Sequence, residues 1–273
     1  MFRYFEQLSS RIAAPFTAGA SRNSKVWQCR CGQSLFFRNS QCLACEALLG
    51  YQPQQSRLSS LQLGPVAETW LQDDNLDAGA FRRCANLDTP AACNWLIPAH
   101  STAPLCVACS LNRTIPDLSI AENAERWCKV ETAKRRLVAQ LISLGLNVVP
   151  KSIDEDNGLA FDFVGIDLEG NAPTTGHANG LITLDIKEAD DAHREKIRVQ
   201  MHEPYRTLLG HFRHEVGHYY WDRLIANSHW FEPFRRVFGD ERASYADALD
   251  QHYQNGPRLD WQQTCVSAYA TMH

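Results

Sequence analysis

The stretch Gly210-His211-Phe212-Arg213-His214-Glu215-Val216-Gly217-His218-Tyr219-Tyr220-Trp221-Asp222 decides how the chain is read. It holds two histidines four apart, with a glutamate directly after the first. Four residues of α-helix advance about 400°, which stacks His214 and His218 on one face about 6 Å apart. Two imidazoles so placed can meet one metal ion. Glu215 stands about 100° round the helix, where it can reach a water held by that ion without being a ligand, as a zinc hydrolase requires. The alternative is a structural helix that carries the pattern by chance.

The neighbouring residues predict a helix. Pro204 suits a first helical turn, where its missing N–H is not needed. Tyr205, Leu208, Leu209, Phe212, Val216, Tyr219 and Tyr220 recur at three- and four-residue steps, so the metal face is expected as a notch in a largely buried helix. Helical rise puts His211 about 10 Å from His218 and Asp222 about 12 Å from His214, so neither can bind the same ion as the pair. Asp222 can accept the ring N–H of His218 and orient it, or simply face solvent. A hydrolytic zinc site needs a third protein ligand and an open fourth position. Asp240, Glu241, Asp247 and His252 are the downstream candidates. Asp240 and Glu241 lie 22 and 23 residues beyond His218, a distance that a helix, loop and helix can fold back over. Asp240 equally suits a helix N-cap.

The 273 residues allow one large or two modest domains. With 44% hydrophobic and 21% charged residues and a formal net charge of −4, the composition is that of a soluble globular protein. No apolar run approaches the ~20 residues of a membrane span. Residues 1–25 read as a flexible extension and not a signal peptide, since their apolar pieces are broken by Arg11 and Pro15. Eight of the ten cysteines fall before residue 110 in paired, metal-type spacings. Without a secretory signal this points to a reducing, cytoplasmic compartment. Cys128 and Cys265 are left over and read as small buried apolar residues.

Cys29-Arg30-Cys31-Gly32 and Cys42-Leu43-Ala44-Cys45 form two knuckles, with Leu35-Phe36-Phe37 as a strand between them. Four thiolates from two such turns make a closed tetrahedral zinc site, a zinc ribbon. Cys84, Cys93, Cys106 and Cys109 form a second, less regular quartet around a strand at Ala92–Pro98. Zinc at both would supply folding free energy that so small a core lacks. Arg30, Arg38, Arg57, Arg82, Arg83 and Arg113 are balanced by Glu46, Glu68, Asp73, Asp74, Asp77 and Asp88. A nucleic-acid module needs a net basic face, so docking of a protein or a purely structural role is expected instead. Tyr51–Asp77, rich in Gln and Ser, reads as a partly ordered linker that packs on the second ribbon.

Further along, a helix is expected over Ser119–Leu144, with Ser119 and Glu122 as a capping box and Gly145 as its stop. Trp127, Val130, Lys134, Leu137, Val138, Leu141 and Leu144 map its inner face. Lys134-Arg135-Arg136 is read as solvated. Strand-like runs follow at Asn147–Val149, Leu159–Val164 and Gly180–Ile186, the last a candidate edge for an added peptide strand or an ordinary half-buried strand. Lys187–Val199 reads as a helix, and short helices are expected over Trp230–Phe238, Asp240–Tyr253 and from Asp260.

Cys106-Val107-Ala108-Cys109-Ser110-Leu111-Asn112-Arg113-Thr114-Ile115-Pro116-Asp117-Leu118, Gly176-His177-Ala178-Asn179-Gly180-Leu181-Ile182-Thr183, the run from Glu203 to Asp222, and Phe238-Gly239-Asp240-Glu241-Arg242 carry a resemblance. From about Cys29 to His273 the chain resembles a bacterial family of zinc-binding metallopeptidases with an N-terminal zinc-ribbon region. In that family the stretch resembling Ser267–His273 continues into an acidic, aromatic helix whose glutamate is the third zinc ligand, gluzincin fashion. This chain ends before it. The resemblance therefore implies a truncated form with an incomplete site, or an internal third ligand, Asp240 or Glu241.

Pattern and resemblance together predict an α+β chain. Tandem zinc ribbons would fill residues 26–116, followed at 117–273 by a mainly helical zincin-like domain with a small antiparallel sheet. One catalytic and two structural zinc ions are expected, with a peptide or protein as substrate. A catalytically inert zinc adaptor is the second reading, and nucleic-acid binding through the ribbons is the third.

Overall fold

The computed structural model describes residues 26–165, 173, 175–200 and 206–264. The N-terminal extension expected over 1–25, Pro204, and the stretch from Cys265 to His273 lie outside these. Two compact units make up the chain, Met1–Ala189 and Asp190–His273.

In the first unit, β1 (Trp27–Gln28) pairs antiparallel with β2 (Ser34–Leu35). Gly32 makes the turn between them with φ +86°, a left-handed conformation that glycine adopts without a Cβ penalty. Five strands follow as an antiparallel meander: β3 (Leu49–Gln52), β4 (Arg57–Leu63), β5 (Trp70–Gln72), β6 (Phe81–Arg83) and β7 (Leu96–Pro98). Tyr51–Asp77 is therefore part of a sheet and not a partly ordered linker. Its polar composition misleads because Ser59, Ser60 and Gln72 are buried, with Gln72 Nε2 donating to Ser59 Oγ at 3.2 Å. The end strands also meet. Tyr51 bridges to Trp95, its N–H donating to the Asn94 carbonyl at 2.8 Å, so the meander curls around Leu49, Leu58, Leu61, Phe81, Trp95 and Leu96.

Gly50 in β3 marks how tightly this core is filled. A Cβ there would stand 2.5 Å from Cδ2 of Leu96, a buried side chain with little room to retreat. Gly50→Ala is expected to destabilise the fold by about 1–3 kcal/mol through overpacking. The check is a urea titration: the midpoint should fall at unchanged slope, and an unmoved midpoint would show that Leu96 can shift freely.

Beyond the meander lie β8 (Asn112–Thr114), helix α1 (Ala121–Ser143), β9 (Ala160–Val164), β10 (Gly176–Ala178) and β11 (Leu181–Asp185). The strands form one sheet in the order β10-β11-β9-β8. Both β8 and β11 run parallel to β9, and only β10 is antiparallel to its neighbour. The sheet is thus mixed where an antiparallel one was expected. Parallel neighbours need a long crossover, and α1 supplies it between β8 and β9. The α+β character of the chain stands, with strand-rich ribbons first and helices later.

Helix α1 starts later than its capping box predicts. Asp117 Oδ1 accepts both the Ser119 N–H (2.9 Å) and the Ser119 hydroxyl (2.7 Å), leaving Ile120 in the cap position without a side-chain bond. Trp127, Val130, Leu137, Val138 and Leu141 are buried as the periodicity predicts. Lys134 and Arg135 are buried with them, contrary to the solvated face expected of them; only Arg136 of that run is exposed. Arg135 reaches back to the Ala91 carbonyl, so the ribbon strands and α1 lie in one compact unit, which ends at Ala189.

The second unit is helical: α2 (Asp191–Gln200), α3 (Leu208–Leu224), α4 (Phe231–Phe238), α5 (Tyr245–Asn255) and α6 (Trp261–Thr264). Thr207 caps α3, its hydroxyl accepting the Gly210 N–H at 3.0 Å. Trp221 near the end of α3 packs on the Phe231 and Phe234 rings, at 6.2 and 6.0 Å between centroids, and so holds α4 against it. No described helix is long and apolar enough to cross a membrane.

Candidate metal centres

The first cysteine quartet is assembled by backbone turns. The Cys29 N–H donates to the Gln33 carbonyl at 2.9 Å, and the Cys42 N–H to that of Ala47 at 2.9 Å, which folds each knuckle back on itself. Sγ of Cys29 lies 3.6 Å from that of Cys45, and Sγ of Cys31 lies 3.7 Å from that of Cys42. All four sulfurs lie within 4.8 Å of one another. Metal–sulfur bonds of about 2.3 Å in a tetrahedron place the sulfurs about 3.8 Å apart, whereas a disulfide would bring them to about 2.05 Å. The donor set therefore fits zinc. The N–H groups of Cys45 and Ala44 hold the Cys42 thiol down at about 6, in reach of the thiolate a metal needs.

The irregular gap in the second quartet is a short 3-10 turn, Ala85–Asp88. It returns the chain so that the Cys93 N–H reaches the Asn86 carbonyl at 3.0 Å. Sγ of Cys93 lies 3.6 Å from that of Cys106, and the Cys106 N–H donates to Sγ of Cys84 at 3.3 Å. Cys84, Cys93, Cys106 and Cys109 again have ligand atoms within 4.8 Å of one another. Here all four are buried, while Cys31 and Cys45 of the first quartet are exposed. The neighbouring Cys106 thiol, and Lys134 more weakly, bring Cys109 down to about 7.

On α3, Leu208, Phe212, Val216 and Tyr219 form a buried face, and His214, Gly217 and His218 stand on the exposed one. The histidines are thus on an open surface and not in a notch of a buried helix. Their Nε2 atoms are 3.2 Å apart. Two imidazoles on one tetrahedral zinc, at about 2.0–2.1 Å each, stand about 3.3 Å apart, so the pair fits that ion. Glu215 is half-buried, and burial pushes its carboxyl above the ordinary value against the opposing pull of His218. Asp222 is exposed and makes no bond to His218 among the described residues.

The carboxylates considered as a third ligand are engaged elsewhere. Asp240 accepts from Nε and Nη2 of Arg242 at 2.9 and 2.8 Å, which holds it well below the usual carboxylate range. Glu241 accepts from Nε and Nη2 of Arg235 at 2.8 and 2.6 Å and is lowered likewise. Asp247 is exposed in the first turn of α5, and His252 lies near its end. Among the described residues, the two cysteine quartets are the only groups of three or more such side chains within ligand distance of one another. The structure therefore brings His214 and His218 together and does not bring Asp240 or Glu241 to them.

Two family models match the chain. One, described as "Putative zinc-binding metallo-peptidase", matches residues 123–273, and the other, a zinc-ribbon domain, matches residues 26–120. The chain belongs to this metallopeptidase family. It is similar to proteins described as uncharacterized from Mycobacterium bovis and from two strains of Mycobacterium tuberculosis. Each is 46% identical over 244 residues, which is 89% of this chain and 67% of the relative. No solved structure matches the chain. For a metallopeptidase-family chain the residues that sequence reasoning missed are Glu131, Lys134 and Arg135, which stand behind the second quartet. A signal was present: Lys134 falls on the apolar stripe of α1, between Val130 and Leu137.

Proposed function

We propose that the exposed face of α3 is the hydrolytic centre of a zinc-dependent peptidase. The observation that carries this is the pair of Nε2 atoms 3.2 Å apart on an open helix face, with the Glu215 carboxyl one residue on. Zinc at that pair would polarise a scissile carbonyl and acidify an attacking water. Glu215 takes the proton of that water and hands it to the leaving amine. A carboxyl raised by burial suits this, because it must both accept and release a proton near neutral pH. An exposed helix face can be approached by an extended polypeptide. We place the substrate among peptides or proteins, give the two cysteine zincs a structural and partner-docking role, and locate the protein in a reducing cytoplasm.

Zinc determination on the purified chain tests this. About three ions per chain are expected, falling to about two in His214→Ala. Two ions in both would sink the hydrolytic centre. The second reading, an inert zinc adaptor, would then hold; it is favoured by the engagement of Asp240 and Glu241 with arginines. Nucleic-acid binding through the ribbons is disfavoured by where their arginines go. Arg30 pairs with Asp73 and Arg57 with Asp74, while Arg82 and Arg83 donate to the carbonyls of Ala103 and Ser40.

A further inference from the structure

Helix α1 places three charged side chains behind the second cysteine quartet that peptide hydrolysis does not use. Glu131, Lys134 and Arg135 are 0%, 0% and 2% exposed. A buried ion is costly unless it is matched, so their partners define their role. Glu131 Oε1 accepts from Lys134 Nζ at 2.6 Å and from Asn112 Nδ2 at 2.9 Å. Glu131 Oε2 lies 3.9 Å from Cys109 Sγ and 3.8 Å from Arg135 Nη1. Lys134 also donates to Asn112 Oδ1 and lies 5.7 and 5.5 Å from the centroids of Phe161 and Phe163 on β9. Arg135 Nη1 donates to the Ala91 carbonyl at 2.8 Å, two residues before Cys93.

Among the described residues the ion pairs of Lys134 and Arg135 are both to Glu131, so one carboxylate answers two cations and this trio carries a net positive charge beside four buried cysteines. Four thiolates around a divalent ion carry a formal charge of two minus, which is expensive to bury. The surplus cation offsets half of it.

We propose that Lys134 and Arg135 are the positive wall of the second zinc site, and that the net charge they set with Glu131 governs how tightly that site holds its metal. This rests on the zinc-ribbon reading of the cysteines. Lys134 is a positioning residue: it touches Glu131 and Asn112 and acts on the metal through them and through its charge. Counting formally, the wild-type site with its wall is left at one minus. Lys134→Met takes it to two minus, Glu131→Gln to neutrality, and the double substitution returns it to one minus.

The test is zinc release from the full chain to a chromogenic chelator, with Cys31→Ser and His214→Ala present so that only the second site reports. Lys134→Met is expected to release zinc about 10–100-fold faster, the usual effect of losing an outer-shell partner. Lys134→Arg should restore the parent rate. Glu131→Gln should release no faster than the parent, and the double variant should match the parent. A wall that merely staples α1 would behave differently, since each single change leaves a buried partner unpaired and both would speed release alike. That symmetric outcome overturns the proposal, as does a parental rate in Lys134→Met. Should Lys134→Met fail to fold, Glu131→Gln decides: faster release overturns the charge wall and an unchanged or slower one supports it. A parent chain that holds no zinc at all would overturn the site itself.

Discussion

Glu215→Gln is expected to abolish peptide hydrolysis, by about 10²–10⁴-fold for loss of a general base, while the chain keeps its full zinc complement. Glutamine has the shape of glutamate and fills the same half-buried position, yet it cannot take a proton. On α3 the side chain stands about 100° round from His214 and about 60° from His218, off the line the two imidazoles share, so the substitution removes no histidine ligand. Folding should not suffer. Burial raises the Glu215 carboxyl, so the folded state binds its proton more tightly than the unfolded chain does. The ionised group therefore detracts from stability above that raised value, and a neutral glutamine relieves the penalty. A peptide-library digest, a zinc assay and a melting curve on the same sample together check the prediction. Turnover surviving in Glu215→Gln would reject the mechanism even with zinc in place. His214→Ala, by contrast, should lose both turnover and one ion.

What the chain disclosed in advance follows a physical division. Side-chain groupings whose spacing is local could be read directly. His214 and His218 are one helical turn apart, and each cysteine knuckle closes within a few residues, so the sequence interval already dictates the distance. The five-stranded meander was hidden because its strands carry Ser59, Ser60 and Gln72 inward, where hydrogen bonds replace the apolar alternation that marks a strand. The parallel pairing of β8 with β9 was hidden because it depends on a crossover through α1. Lys134 shows the division within a single residue. Its place on the inner stripe of α1 was legible from periodicity, but its charge argued for solvent. What reverses that argument is Glu131 beside it and Asn112 and Cys109 from the ribbon, partners 22 or more residues away in sequence for the latter two. The contacts of Asp240 and Glu241 were equally hard to foresee: Arg242 and Arg235 lie close by in sequence and engage their carboxylates.

The two cysteine sites should respond very differently to loss of metal. Cys93→Ser is expected to leave the first unit without its fold. Structural zinc in small modules is worth about 10–16 kcal/mol, as much as or more than the net stability of a whole domain. Cys93 is 0% exposed, so a failed site leaves polar thiols in an interior also shared by Glu131, Lys134 and Arg135. With the metal gone and the thiols protonated, that interior would hold a net positive charge in place of the one minus of the loaded site. Cys31→Ser should be milder. Cys31 is exposed, and β1 and β2 are two residues each, so their loss removes little of the buried core formed by Leu58, Leu61, Phe81 and Trp95. Far-UV circular dichroism with zinc counting separates the cases. Cys31→Ser should lose one ion and keep its cooperative melt, whereas Cys93→Ser should lose the melt with the ion. A wild-type melting temperature in Cys93→Ser would show that packing around α1 suffices without metal. The order of release under a chelator should follow the same exposure, with the site of Cys31 and Cys45 emptying first and that of Cys84, Cys93, Cys106 and Cys109 last.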